Sequence, residues 1–178
     1  FRYEQAAETA RNALEKLRET QEKVAEAKTR RKEIINKLDE AFAAAAAQRD
    51  VLRRNWPDRW AEIEADYRTA KALAEGQDYV QLLEAAEDVR TRLEAIVEER
   101  QELVTEAAEA RAEYAKLMEQ VDEDLMALNL SDAWSSVRTA RAAAARALER
   151  KDLREGGAFL SRATERLRKT VEEFETLQ

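Results

Sequence analysis

Asn55-Trp-Pro-Asp-Arg-Trp60-Ala-Glu-Ile63 opens a stretch that runs to Glu99, and it returns as Asn129-Leu-Ser-Asp-Ala-Trp134-Ser-Ser-Val137 in a stretch that runs to Glu173. The two copies align without a gap at a spacing of 74 residues. Asn55/Asn129, Asp58/Asp132, Trp60/Trp134, Ala70/Ala144, Glu75/Glu149, Asp78/Asp152, Arg92/Arg166 and Leu93/Leu167 are identical, as is the closing Val97-Glu98-Glu99 with Val171-Glu172-Glu173. Ile63/Val137 and Tyr79/Leu153 are conservative pairs. A fixed period of this size is the mark of a repeat architecture, in which one supersecondary unit is stacked on its neighbour. Such arrays serve as spacers or binding surfaces far more often than as catalysts.

Composition agrees on an all-α chain. Of 178 residues only 3 are Gly and 1 is Pro, so the backbone has few places to turn. Strong helix formers dominate, with 39% charged residues for the surface and 44% hydrophobic residues for a core. A formal charge of -7 gives no global attraction to nucleic acid or to an anionic membrane. There is no cysteine, which excludes disulfides and thiolate metal sites, and no histidine, which removes the commonest general base and metal ligand. No apolar run has the length of a membrane span, so membrane insertion is not expected. The opening Phe1-Arg2-Tyr3-Glu4 reads as mid-helix rather than as a signal peptide, as in a piece of something longer.

Apolar residues follow helical spacing almost throughout. A first segment carries Val24, Ile34, Ile35, Leu38, Phe42, Val51 and Leu52; a second carries Trp60, Ile63, Tyr67 and Ala70. From Leu82 to Leu128 the seam continues through Leu93, Ile96, Leu103, Tyr114, Leu117 and Val121 with no Gly or Pro. Trp134, Val137 and Leu148 mark a fourth segment, and Leu160, Leu167, Val171, Phe174 and Leu177 a fifth.

The helix boundaries carry their own chemistry. Asn55 and Asn129 read as N-caps, each with an Asp three residues on to complement the positive end of the helix dipole. Pro57 is tolerable in a first turn, where its missing N–H is not needed. Gly76 suits a left-handed helix end. Asp78 with Gln81 and Asp152 with Glu155 read as capping boxes opening the third helix of each repeat. Gly156-Gly157 conflicts with that helix, since each costs roughly 1 kcal/mol relative to Ala. The helix is expected either to begin after them or to bend at them.

The expected layout is two tandem three-helix bundles sharing a continuous helix over about 78–128, roughly 75 Å long at 1.5 Å per residue. Residues 24–100 form the first bundle and 101–178 the second, while 1–23 read as the tail of a preceding module. That last reading rests on Tyr3, Ala10, Leu14 and Leu17, which match Leu82, Val89, Leu93 and Ile96 at a spacing of 79. A helix between bundles bends far less than a Gly/Ser linker, so the expected product is a stiff rod.

Trp60 followed by Ile63, Ala70-Lys-Ala-Leu73 and Leu93-Glu-Ala-Ile96, with looser counterparts at Trp134, Val137, Leu148 and Leu167, resemble the FIVAR module of bacterial surface proteins. The shared helix is also similar to that of spectrin-type repeats, whose period is longer. The resemblance implies a stalk or adhesive module at a bacterial surface, in which helices run on from one bundle into the next.

Few residues invite a site. Trp60 and Trp134 lie on the apolar face of the second helix of each repeat and read as core anchors. Trp56, matched by Leu130, is either a staple across the junction or an exposed aromatic able to meet a partner. Acidic residues crowd the shared helix, but di-iron carboxylate sites need Glu-x-x-His and no histidine exists here. Between Trp134 and Lys169 ten basic residues face four acidic ones. Arg138, Arg141 and Arg162 are therefore candidate contacts for an acidic protein or glycan. No aromatic residues interleave with them as single-strand nucleic-acid binding requires, and no groove-reading motif is present. Nucleotide loops, nucleophile elbows and zinc patterns are missing, so neither catalysis nor a cofactor is expected. The sequence reading is a structural spacer whose partners are neighbouring repeats, at a bacterial surface or, alternatively, as a cytoplasmic coiled-coil scaffold. A protein- or glycan-binding module is the competing reading.

Overall fold

A computed structural model of the chain describes residues 2–76 and 79–176. Among them it contains seven helices and no strand: α1 (Arg2–Ala46), α2 (Arg49–Asn55), α3 (Pro57–Leu73), α4 (Tyr79–Met118), α5 (Glu123–Asn129), α6 (Ser131–Glu149) and α7 (Leu153–Thr176). The chain is all-α. The expected cap at Asp78 and the apolar Leu177 lie outside the described residues.

The sequence period reappears in the helix boundaries. Moving 74 residues along the chain takes α2 onto α5 at both ends, and takes the first residues of α3 and α4 onto those of α6 and α7. Trp56 and Leu130 stand between the paired helices, and the hydrogen-bond ladder passes through them. Trp56 N–H donates to Leu52 O and Trp60 N–H to Trp56 O, both at 2.9 Å. Leu130 and Trp134 do the same in the second repeat, also at 2.9 Å. Each junction is thus a kink in a nearly continuous helix, not a loop.

The helix expected to run unbroken over 78–128 is interrupted at 119–122, where α4 ends and α5 begins. The cause is local: Asp122 sits in extended backbone, and its side chain accepts from the N–H groups of Asp124 and Leu125, both at 3.1 Å. An Asp that satisfies two orphan amides favours a new helix start over continuation. The matching break falls at Ala47–Gln48, between α1 and α2, where the apolar pattern had run on without a signal.

Two compact units divide the chain. One comprises residues up to Ala44 with Ile63–Arg92, and the other Ala45–Glu62 with the chain from Leu93 onward. In the first, Leu38, Ile63, Ala70, Leu82, Ala86 and Val89 are buried. The Phe42 ring stacks on Tyr67 with centroids 3.9 Å apart. Beside that stack Asp39 accepts from the Tyr67 hydroxyl at 2.8 Å and from Lys71 Nζ at 2.7 and 2.9 Å. The early part of α1 is different: Tyr3, Leu14, Leu17 and Val24 are exposed, although Leu82, Val89, Leu93 and Ile96, which the alignment at spacing 79 sets against Tyr3, Ala10, Leu14 and Leu17, are buried.

In the second unit Tyr114, Met126, Trp134, Val137, Ala140, Ala163, Leu167 and Val171 form one core, with Leu117, Met118, Val121, Leu130 and Phe174 packed against it. Trp60 and Trp134 are both buried, as core anchors should be. The last helix does not start after its glycines. It begins at Leu153 and runs through Gly156 and Gly157. A Cβ on Gly156 would lie 2.5 Å from Leu148 Cδ2, so this glycine allows α7 to approach the end of α6 closely. Gly76 is not the left-handed helix end expected of it, since no described glycine has positive φ. That geometry falls instead to Lys151 (φ 62), after α6, with Asp152 N–H donating to Ala147 O at 3.0 Å. The pattern is a Schellman motif with Lys where Gly is usual.

Candidate functional site

The most specific polar arrangement lies within the second unit, where residues of the first repeat meet the start of α7. Asn55 closes α2, and its side chain is buried. Its Nδ2 donates to Val51 O and to Lys151 O, each at 2.8 Å. Its Oδ1 accepts from the N–H groups of Leu153 at 2.8 Å and Arg154 at 3.2 Å. Asp152 Oδ1 takes the next amide, that of Glu155, at 3.0 Å, and the Gly156 N–H donates to Asp152 O at 2.9 Å. With the Asp152 N–H bound to Ala147 O, the four amides that a helix start leaves without intrahelical partners, those of residues 152–155, are all satisfied.

Asn55 is therefore a helix cap, but not of the helix that follows it. The continuing ladder through Trp56 frees its amide to serve α7, 98 residues away. Asn129 likewise caps nothing in α6, which has no side-chain cap. The box at Asp152 is only half made, because the Glu155 carboxylate pairs with Arg150 at 3.2 Å instead of reaching back.

Charges surround the contact. Lys151 Nζ meets Asp50 at 2.9 Å, and Arg54 faces Asp152 at 3.6 Å. Glu99 accepts from Arg59 at 2.6 Å and from Trp56 Nε1 at 2.9 Å, with Arg154 at 3.8 Å. The hydrogen bond from the Arg59 guanidinium is the main reason that the Glu99 carboxyl is held below the usual carboxylate range. Hydrogen bonding to Lys151 lowers Asp50 in the same way. What the arrangement supplies is acceptors and charges aimed at one helix terminus.

Trp56 is thus not an exposed aromatic. It is 4% exposed, with its indole N–H bound to Glu99 and the Arg154 guanidinium 4.9 Å above its ring. Arg138, Arg141 and Arg162 are all exposed, and the structure does not gather them into one site. Arg138 lines an open groove of about 490 Å³ with Trp134, Ser135 and Arg146. Arg141 lies 5.3 Å over Tyr114 at the edge of a different cleft, of about 690 Å³, whose wall includes Arg111, Met118 and Leu148. Arg162 packs over Phe159 of its own helix. Much of the remaining basic charge is paired, Arg168 with Glu113 and Lys169 with Glu165.

Among the described residues no group of three or more acidic side chains is placed to hold a metal ion, and no helix is long and apolar enough to cross a membrane. No protein-family model, curated protein or solved structure matches the chain.

Proposed function

We propose that this chain is a non-catalytic structural spacer, a segment of a longer array of three-helix repeats that holds other parts of a protein apart. The observation that carries this reading is the recurrence of helix boundaries at the sequence period, α2 with α5 and the starts of α3 and α4 with those of α6 and α7. Two further features support it. α4 passes without a break from the first repeat into the second. The best-satisfied polar cluster, at Asn55, ties the two repeats together and presents nothing to a substrate. The similarity to FIVAR modules supports placing the spacer at a bacterial surface. A binding role through Arg138, Arg141 and Arg162 has less behind it, because Arg138 and Arg141 line separate clefts and Arg162 lines neither.

Small-angle scattering tests the reading. A compact chain of this length has a radius of gyration of about 16 Å, and a spacer gives a value well above it. Thr91→Pro changes an exposed position inside α4, removing a helix hydrogen bond without emptying the core. It should broaden the distance distribution at its long end. A wild-type value near 16 Å, or a distribution untouched by the proline, would remove the spacer from consideration.

A further inference from the structure

We propose that the C-terminal end of α5, centred on Asn129, is a seat for the first turn of the third helix of a further repeat of this kind. The inference deepens the spacer reading and rests on it.

Asn129 stands one period after Asn55, and its Nδ2 donates to Leu125 O at 2.9 Å just as Asn55 Nδ2 donates to Val51 O. The same i→i−4 bond therefore holds both side-chain amides. Asn55 spends its Oδ1 on the two leading amides of α7. Among the described residues nothing donates to Asn129 Oδ1, and the side chain is exposed rather than buried. The residues around it repeat the relation. Asp124 corresponds to Asp50, which binds Lys151, and Leu125 to Val51. Leu128 corresponds to Arg54, which faces Asp152, and is 80% exposed. The Asn that is buried in one copy of the repeat is exposed in the next, and the half-buried Val51 is matched there by an exposed Leu125.

The substitutions specify the occupant's chemistry. Its helix start offers two free backbone amides to Asn129 Oδ1 and a cation, like that of Lys151, to Asp124. A helix start is electropositive, which suits an approach to Asp124 and an amide oxygen.

The test extends the chain by one period, appending a second copy of residues 105–178 in frame after Gln178. Thermal unfolding is then followed by circular dichroism in the extended and the 178-residue chains. Asn129→Ala should lower Tm in the extended chain by a shift comparable to that of Asn55→Ala, and leave Tm of the 178-residue chain unchanged. An equal effect at both lengths, no effect in the extended chain, or an appended period that stays unfolded would each overturn the seat. The spacer reading is judged separately, by scattering of the 178-residue chain, and survives any of those outcomes.

Discussion

At the residue scale, adjacent glycines have opposite meanings. A Cβ on Gly157 meets nothing within 4 Å, whereas one on Gly156 would sit 2.5 and 2.7 Å from Leu148 Cδ2 and Cγ. Gly157→Ala should therefore stabilise the protein by about 1 kcal/mol through helix propensity alone. Gly156→Ala must displace Leu148 and should be net destabilising by about 1 kcal/mol, since overpacking typically costs more than the propensity returns. Urea midpoints of the two variants moving in the same direction would contradict this. Tyr67 supplies a pH signature. Burial, and then its hydrogen bond to Asp39, pushes its hydroxyl up to about 12. The fold thus favours the protonated phenol, and that contribution is complete below the ordinary value of 10.0 and is lost as pH rises through 12. Tyr67→Phe keeps the ring against Phe42 but loses the hydroxyl bond. We expect about 1 kcal/mol less stability at neutral pH and a smaller decline than wild type between pH 10 and 12, read from urea midpoints against pH. Asp39 behaves in the opposite sense. Burial would raise it, but hydrogen bonds from Lys71 and Tyr67 prevail and lower it, so its contribution is lost as pH falls through that depressed value.

At the element scale, helix starts decide the architecture. Asn55→Ala strips Oδ1 from the amides of Leu153 and Arg154 and should cost about 2 kcal/mol, as the removal of a buried cap does. Hydrogen exchange at those two amides should quicken more than at the core amides of α7, and uniform quickening would count against a local capping role. This scale is also where sequence and structure part company. Asn55 was legible as a cap, because Asn before Trp-Pro-Asp has the right neighbours, but its client lies 98 residues on and no local pattern points there. The breaks at Ala47–Gln48 and 119–122 carry no Gly or Pro, and strong helix formers flank both. Only Asp122, three residues ahead of Leu125, carries a sign, and it is hidden among the many other acids of that segment. Trp56 was ambiguous for the same reason: its Nε1 partner, Glu99, is remote in sequence. The buried seam through Leu38, Trp60, Ile63, Leu93, Ile96, Trp134 and Leu167 was legible throughout, because a 3.6-residue period is written locally.

At the scale of the whole molecule, the repeat is the dominant fact, and it was visible in the chain from the Asn55 and Asn129 copies alone. Helices that begin one period apart make each repeat chemically answerable to its neighbour, since repeat arrays gain stability from nearest-neighbour interfaces as well as from each unit. The candidate basic contacts were less well served by sequence. Ten cations lie between Trp134 and Lys169 in the chain, yet α6, α7 and the turn between them distribute these around two helices, and several meet carboxylates on α4 or α7. Counting charge along a chain ignores the turn of about 100° per residue that scatters it.

The Asn55 bond also sets a timetable. A ribosome adds roughly 5–20 residues per second, so Asn55 is made about 5–20 s before Leu153. Until then its Oδ1 is left to water, while Nδ2 already has Val51 O. The start of α7 is finished by a group made 98 residues before it, which makes assembly vectorial: the newly synthesised segment is received by a socket already in place.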